Sequence, residues 1–300
     1  MIHKLYLYIC VKNVSLEHEQ NFVQCLKQHS PLLWQEWEQS SYNISSAQNK
    51  KVRCIESQHV HQIWKETLQK IVKWLDFDAY VLSEEQAQLM PELLVSDMDS
   101  TLIEWEVIDE LAVMAGVGKQ VADITEQAMQ GLLDFETSLR QRVACLQGLH
   151  VEAIARLQKQ LPLSQGAESL LKACKLQRVE TALVSGGFMP FVEALQQRLG
   201  IDHVVANHLE TQESILTGHV HGQIVDADFK AEFLKLLATK APSERKTTVA
   251  VGDGANDLAM LQAADIGFAY HAKPIVAKAA DIAIVHGGLD LIAYHFGWIR

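Results

Sequence analysis

The sequence predicts an α/β protein built on a doubly wound parallel sheet, preceded by a smaller α+β domain. From residue 93 onward, apolar runs of strand length alternate with helical patterns, which is typical of a parallel sheet with helices on both faces. Several of these runs end in acidic or polar residues, and ligands of such sheets bind beyond the carboxyl ends of the strands. Residues 1–85 instead show the order βαββαβ, the pattern of ferredoxin-like units.

Length, composition and charge limit the classes of function. A chain of 300 residues suggests about two domains, and 48% hydrophobic with 21% charged residues is ordinary for a globular protein. The formal net charge of −11 argues against nucleic acid as a partner, because that binding depends on cationic side chains. No leader segment and no apolar run of membrane-spanning length is visible. We therefore expect a cytoplasmic protein with no membrane partner.

The five cysteines are scattered and form no C-x-x-C pair. This spacing argues against a disulfide framework and against a structural zinc site. Buried thiols in a reducing compartment are the expectation.

The first domain is assigned to residues 1–85 and the second to residues 86–300. The predicted strands of the first domain are 4–10, 32–37, 52–56 and 79–82, of which 32–37 is the least certain. Its predicted helices are 16–28 and 59–75. Residues 83–91 are polar and end in proline, which indicates a linker. The tryptophans of this domain could pack in a core or line a ligand pocket. The βαββαβ order resembles that of amino-acid-binding ACT-like modules, and this resemblance implies an ACT-like domain.

The second domain opens on the stretch Leu-Leu-Val-Ser-Asp-Met-Asp-Ser-Thr-Leu, residues 93–102. Residues 93–95 read as a buried strand, and Asp97 and Asp99 follow where that strand ends. An acidic turn that caps the next helix is the alternative explanation, since aspartate, serine and threonine are good caps.

A largely helical segment follows and then the alternation of helix and strand resumes. The helical segment, at about 104–160, is too long for an ordinary connecting loop and predicts a small cap over the strand ends. The later predicted strands are 180–184, 204–206, 247–251, 266–269 and 282–285, the predicted helices are 167–176, 190–199, 231–239, 258–264 and 275–279, and a short hairpin is predicted at 217–224.

Polar groups follow three of these strands, at positions that a parallel sheet brings to one edge. They are Asp97 and Asp99, then Ser185, then Asp253, Asn256 and Asp257, with Lys230 at the start of a helix. Carboxylates that share one spot repel each other, and a divalent cation with oxygen ligands, above all Mg²⁺, removes the repulsion. A serine with backbone N–H groups at a helix start can hold phosphate oxygens. The pattern predicts a site of phosphoryl transfer.

Within such a site Asp97 can attack phosphorus and form an aspartyl-phosphate. Asp99 can protonate the departing oxygen and later accept a proton from the attacking water. An alkoxide needs this protonation, so a second acid favours a phosphomonoesterase over an ATP-driven pump.

The same residues resemble the four motifs of the haloacid dehalogenase superfamily: Asp97-Met-Asp99-Ser-Thr101, Ser185-Gly-Gly, Lys230 and Gly252-Asp253-Gly-Ala-Asn256-Asp257. Residues 93 to about 285 are similar to the phosphoserine phosphatase family nearly throughout, including Leu133-Asp-Phe135-Glu-Thr-Ser-Leu-Arg140 in the predicted cap.

The resemblance implies a role for each of these residues. It makes Asp97 the nucleophile and Asp99 the general acid and base. It implies Mg²⁺ held by Asp97, the Asp99 carbonyl and Asp253, with Asp257 supporting the metal's shell. Ser185, Gly186, Lys230 and Asn256 would hold the phosphoryl group, and Glu106, Phe135 and Arg142 of the cap would bind the rest of the substrate.

The implied reaction is hydrolysis of O-phospho-L-serine to L-serine and phosphate, the last step of serine biosynthesis. An acid and an arginine complement the ammonium and carboxylate of phosphoserine, although both side chains could instead belong to a solvated helix face. Another small phosphate ester, transfer to an acceptor such as homoserine, and an inert regulatory protein are the alternatives. The sequence leaves a homodimer open.

Overall fold

The computed structural model describes residues 3–9, 24, 51–57, 78–82, 84–241 and 244–299. Its centre is a seven-stranded sheet with the order β12-β11-β10-β4-β5-β6-β7. The strands of this sheet are β4 (Leu93–Ser96), β5 (Glu180–Phe188), β6 (His203–Gln212), β7 (Ile215–His221), β10 (Thr248–Gly252), β11 (Ile266–Tyr270) and β12 (Ile282–Ile284). All neighbours pair in parallel except β6 and β7. The predicted α/β class is confirmed.

Helices pack on both faces of this sheet. The helices of the described residues are α1 (Glu84–Gln88), α2 (Val107–Ala115), α3 (Gly118–Met129), α4 (Phe135–Ala144), α5 (Glu152–Gln158), α6 (Ala167–Gln177), α7 (Met189–Leu199), α8 (Ala227–Ala238), α9 (Leu258–Ala263), α10 (Pro274–Ala279) and α11 (Asp290–His295). Strand β4 shows why two cores form: Leu94 belongs to one apolar cluster, and Leu93 and Val95 belong to the other. Successive strand residues point to opposite faces, so a fully apolar strand is buried on both sides.

The three strands that the sequence predicts to carry the site are neighbours. Strand β4 lies between β10 and β5, with Leu94 opposite both Val249 and Thr181. All three run in the same direction, so their carboxyl ends meet at one edge of the sheet. Helices α2 to α5 are inserted between β4 and β5, where the sequence predicts the cap.

Several element bounds differ from the sequence prediction. The hairpin is formed by β6 and β7 and turns at Glu213 and Ser214, both with positive φ, because a two-residue hairpin turn needs that conformation; the prediction placed it at residues 217–224, where Gly218 and Gly222 suggested the turn. Helix α8 begins at Ala227 behind the capping carboxylate of Asp226, so Lys230 lies inside the helix and not before it.

Short elements were also missed. Helix α1 lies within the predicted linker, and strands β8 (Thr239–Ala241) and β9 (Glu244–Arg245) and helix α11 were not predicted. Elements of this length carry too few residues for a clear period.

The amino-terminal residues contribute an antiparallel sheet with the order β2-β1-β3. Its strands are β1 (His3–Ile9), β2 (Lys51–Ser57) and β3 (Ala79–Leu82). They correspond to three of the four predicted strands, whereas the predicted strand 32–37 and helices 16–28 and 59–75 lie outside the described residues. The ferredoxin-like arrangement therefore stays a prediction.

Asp78 joins this sheet to the carboxyl-terminal end of the chain. Its fully buried carboxylate accepts hydrogen bonds from the backbone N–H groups of Val285, His286 and Gly287. Next to it the Tyr80 hydroxyl lies 3.1 Å from Nδ1 of His295. Among the described helices, none is long and apolar enough to cross a membrane.

Candidate active site

The first component of the site is the turn that follows β4. The backbone N–H of Asp97 donates to the Val251 carbonyl of β10 at 3.0 Å, which places the Asp97 carboxylate at the carboxyl edge of the sheet. The residue is 4% exposed. Burial, and the negative charge of Asp257 beside it, raise the pKa of Asp97 well above its usual range.

Lys230 forms the floor of the site. Its side chain is completely buried, and its ammonium group lies 2.7 Å from Oδ1 of Asp97 and 2.7 Å from Oδ1 of Asp257. Burial alone would lower the pKa of this lysine, but the two carboxylates raise it above its usual value. Helix α8 therefore delivers a permanent positive charge between two of the acids.

Three carboxylates converge beside this lysine. Oxygen atoms of Asp97, Asp253 and Asp257 lie within 4.8 Å of one another. Burial and the charge of Asp257 raise the pKa of Asp253 to about 6. One lysine leaves the cluster negatively charged, and a hard divalent cation that prefers oxygen ligands suits this donor set.

Neighbouring groups orient these carboxylates. The Thr101 hydroxyl donates to Oδ1 of Asp253 at 2.9 Å, and the backbone N–H of Gly254 donates to Oδ2 of Asp257 at 2.9 Å. Outer contacts of this kind hold metal ligands in position. Thr101 was quoted in the motif, but sequence reasoning had assigned it no role; its hydroxyl at a fixed spacing from two acids was the available signal.

Asp99 is held in a different environment. Its Oδ1 accepts the backbone N–H of Val107 at 2.9 Å, and its Oδ2 accepts the Ser185 hydroxyl at 3.3 Å. Burial, followed by the charge of Glu106, raises the pKa of Asp99 to about 8. Two carboxylates two residues apart therefore have distinct surroundings, and those of Asp99 favour its protonated form.

The carboxyl-terminal part of β5 approaches Asp99 without side chains in the way; this strand continues to Phe188, past the predicted end at residue 184. A Cβ atom on Gly187 would lie 2.5 Å from Oδ2 of Asp99, and one on Gly186 would lie 2.9 Å from the Phe135 ring. The buried Ser185 hydroxyl accepts the N–H of Gly187 at 2.8 Å. The two glycines thus allow backbone to pack directly against the site.

Asn207 supports this segment and was missed as a functional candidate. It is fully buried; its Nδ2 donates to the Gly186 carbonyl at 2.9 Å, and its Oδ1 accepts the N–H of Val225 at 2.9 Å. An amide directly after the apolar run Val204-Val-Ala206 was the sequence signal.

The cap side of the site is more open. Glu106 is exposed and accepts the Ser100 hydroxyl at 2.7 Å. Arg142 is half-buried, and its Nε donates to the Ser138 carbonyl at 3.4 Å. Burial lowers the pKa of this guanidinium, while the nearby Asp109 and Glu106 carboxylates act in the opposite direction. An acid and an arginine thus share one open region.

One cleft of about 790 Å³ joins the two sides. The predicted site residues on its wall are Asp97, Asp99, Glu106, Phe135, Arg142, Gly186, Asp253 and Asn256. Ser185, Lys230 and Asp257 lie directly behind this wall through the contacts given above. The structure therefore brings every predicted site residue into one place. Asp109 and Lys273 also line the cleft, although sequence reasoning had not selected them.

Comparisons with known proteins show which family the chain belongs to. Residues 94–262 match the family model of haloacid dehalogenase-like hydrolases. The chain is 43% identical over 219 residues to a phosphoserine phosphatase of Vibrio cholerae, covering 73% of this chain and 67% of that one. It is 48% identical over 192 residues to a phosphoserine phosphatase of Idiomarina loihiensis, covering 64% of this chain and 87% of that one.

A solved structure extends the similarity to nearly the whole chain. A haloacid dehalogenase family hydrolase of Salmonella enterica serovar Typhi superposes with a TM-score of 0.85 at 26% identity and covers 99% of both chains. The matched region spans 56%, 55% and 51% of three longer phosphoserine phosphatases. The chain belongs to the haloacid dehalogenase-like hydrolases and, within them, to the phosphoserine phosphatase family.

Proposed function

We propose that the protein is a Mg²⁺-dependent phosphatase that hydrolyses O-phospho-L-serine to L-serine and phosphate. The observation that carries this proposal is the single cleft in which the carboxylate and lysine cluster of the sheet edge faces Glu106 and Arg142 of the cap side. The carboxylate and lysine cluster is suited to phosphoryl transfer, and the pair Glu106 and Arg142 is suited to binding the ammonium and carboxylate of an amino acid. The names of the curated relatives support the same substrate.

Asp97 is the nucleophile in this mechanism. Its carboxylate attacks phosphorus, and the ester oxygen leaves as the aspartyl-phosphate forms, which divides one difficult displacement into two easier ones. The Lys230 ammonium at 2.7 Å favours the ionised form of this carboxylate, in opposition to the burial and the Asp257 charge that raise its pKa. One N–H group of Lys230 donates to Oδ1 of Asp257 at 2.7 Å, and an ammonium group has two further donors, which can serve a phosphoryl oxygen.

Asp99 is the general acid and then the general base. With a pKa of about 8, it holds a proton near neutral pH and can give it to the departing serine oxygen. It can take the proton back from the water that hydrolyses the aspartyl-phosphate. Its contacts with Val107 N–H and Ser185 Oγ keep the carboxyl group oriented.

Asp97, Asp253 and the Asp99 carbonyl would hold Mg²⁺, with Asp257 in support. The carboxylate oxygens within 4.8 Å of one another match the oxygen ligands that this ion prefers. When bound, Mg²⁺ would neutralise charge on the phosphoryl oxygens and on the nucleophile. Ser185, Gly186, Lys230 and Asn256 would hold the phosphoryl group beside it.

Glu106 and Arg142 would bind the amino acid part of the substrate, with Phe135 packed between them and the phosphate site. Phe135 begins α4 and lies against Gly186. The Glu106 carboxylate complements an ammonium group, and the planar Arg142 fork complements a carboxylate.

The test is phosphate release from L-phosphoserine, phosphoethanolamine and 3-hydroxypropanoate phosphate, each with Mg²⁺ and with a chelator. Phosphoethanolamine lacks the carboxylate of phosphoserine, and 3-hydroxypropanoate phosphate lacks its ammonium. We expect Mg²⁺-dependent release and a value of kcat/KM about 10- to 100-fold higher for phosphoserine than for either analogue. Equal values of kcat/KM for all three esters would contradict the assignment of phosphoserine as the substrate. Phosphate release that the chelator does not reduce would contradict the dependence on Mg²⁺.

For the first 85 residues we propose a ferredoxin-like, ACT-like domain, followed by a phosphatase domain at 86–300 with a cap at about 104–160. The antiparallel order β2-β1-β3 supports this division, because the first, third and fourth strands of a βαββαβ unit adopt that arrangement. Binding of an amino acid to this domain, measured by calorimetry on the whole protein with Asp97→Asn, tests the proposal.

A further inference from the structure

We infer that Ser100 is a positioning residue that fixes the Glu106 carboxylate for the ammonium group of the substrate. This inference rests on the proposed function and adds a residue to it. Ser100 stands between the general acid and Thr101 in the turn after β4, and none of the roles assigned above uses it.

The backbone of Ser100 is in a conformation that favours glycine. Its φ is 54° and its ψ is 1°, in the left-handed region, where a side chain costs on the order of 1 kcal/mol. Glycine would adopt this conformation without that cost. A serine at such a position implies that its side chain contributes something that glycine could not.

The contribution visible in the structure is one short hydrogen bond. The Ser100 hydroxyl donates to Oε1 of Glu106 at 2.7 Å. Over the described part of the chain, it is the only hydrogen-bond donor recorded for this carboxylate. Glu106 is otherwise exposed in the cleft, and a free glutamate side chain would sample several rotamers, with about 1.5–2 kcal/mol of conformational entropy to lose on binding.

Two other hydrogen bonds in this turn fix the position of Ser100 relative to Glu106. The backbone N–H of Ser100 donates to the Trp105 carbonyl at 3.1 Å, and Oδ1 of Asp99 accepts the N–H of Val107 at 2.9 Å. Both ends of the segment 99–107 are therefore tied together. With Oε1 held by Ser100, Oε2 of Glu106 is left for a ligand at a defined distance from the general acid.

The experiment compares the wild type with Ser100→Ala and Ser100→Gly, on L-phosphoserine and on 3-hydroxypropanoate phosphate. Both variants should raise KM for phosphoserine by about three- to tenfold. On the ester without the ammonium, KM should change by less than about twofold, since no cation is there for Glu106 to bind. Both variants lack the hydroxyl, but only alanine carries the backbone strain, so the pair separates the two effects.

Added to Glu106→Gln, the change Ser100→Ala should cause no further loss on phosphoserine, because the two residues act as one unit. Equal KM changes on both esters would overturn the inference, as would wild-type KM for phosphoserine in Ser100→Gly. A wild type that shows no preference for phosphoserine over 3-hydroxypropanoate phosphate would instead reject the proposed function. The two failures are therefore distinguishable.

Discussion

The sheet edge and the cap side of the cleft are built in different ways. At the sheet edge, Lys230 and Asp257 are completely buried and Asp97 nearly so, with ion pairs of 2.7 Å. On the cap side, Glu106 is exposed and Arg142 is held by one long hydrogen bond of 3.4 Å. The first group is preorganised before a substrate arrives, and the second has freedom that a substrate must remove.

This difference follows from what each region handles. Charge that develops during phosphoryl transfer is best stabilised by groups already in place, because reorganisation then costs nothing during the reaction. Groups that select the substrate have to admit it and release the product, so they remain accessible to water. Loss of a residue should therefore affect turnover or stability at the sheet edge, and KM on the cap side.

The largest expected effect is at Asp97. Asp97→Asn preserves the shape of the side chain but removes the nucleophile, and turnover of L-phosphoserine should fall by on the order of 10⁴-fold or more. Phosphate release by a pure preparation of the variant measures this loss. Substantial turnover would refute the nucleophile assignment.

Removal of the buried lysine comes next. Lys230→Met leaves the carboxylates of Asp97 and Asp257 without their cation, and the free energy of unfolding in metal-free urea titrations should fall by about 3–5 kcal/mol. Lys235→Met is the matched control, because Lys235 lies on the exposed side of the same helix. This control should change stability by less than about 0.5 kcal/mol. Similar losses for both variants would show that the sheet edge is not preorganised around Lys230.

Arg142 tests the other half of the comparison. Arg142→Ala should raise KM for L-phosphoserine by about 10- to 100-fold and leave KM for phosphoethanolamine within about twofold, since that ester has no carboxylate. Arg140→Ala is the control on the same helix, where Arg140 is exposed and pairs with Glu136. Equal losses on both esters would remove Arg142 from carboxylate recognition.

The smallest expected effect concerns His295, a buried residue of α11. Burial lowers the pKa of His295 to about 3, so below about pH 6.5 the unfolded chain binds a proton that the folded chain does not. Stability should therefore fall with decreasing pH, by about 1.4 kcal/mol for each pH unit below 6.5, from this residue. His295→Gln keeps a partner for the Tyr80 hydroxyl without titrating, and its urea midpoint should depend less on pH. Parallel curves for the two proteins would contradict this account.

The candidate site was accessible to sequence reasoning to the extent that its residues follow strands. Asp97, Ser185 and Asp253 each lie within two residues of the end of an apolar run, and parallel strands must bring such positions to one edge. Thr101 and Asn207 were not selected, because hydroxyl and amide side chains have many ordinary uses in turns and caps. Only their contacts with Asp253 and Gly186 identify what they do here.

The bounds of helices and strands likewise divide into those that the sequence predicted and those that only the structure showed. Long apolar strands such as β4, β10 and β11 were located to within two residues at either end. The hairpin of β6 and β7 was misplaced because its turn uses Glu213 and Ser214, whereas glycines are the usual marker. Ser100 belongs with these cases: nothing in its residue type shows that its backbone has a positive φ.

By itself, the sequence determined the α/β class, the strands that carry the acids, and the residue types that point to phosphoryl transfer. These properties depend on local periodicity and on motif spacing, which the chain displays without folding. Tertiary structure alone decided that Lys230 is buried between Asp97 and Asp257, that the pKa of Asp99 is about 8, and that Ser100 holds Glu106. Burial, charge proximity and hydrogen-bond direction arise from residues distant in the chain, so they exist only once the sheet has brought those residues together.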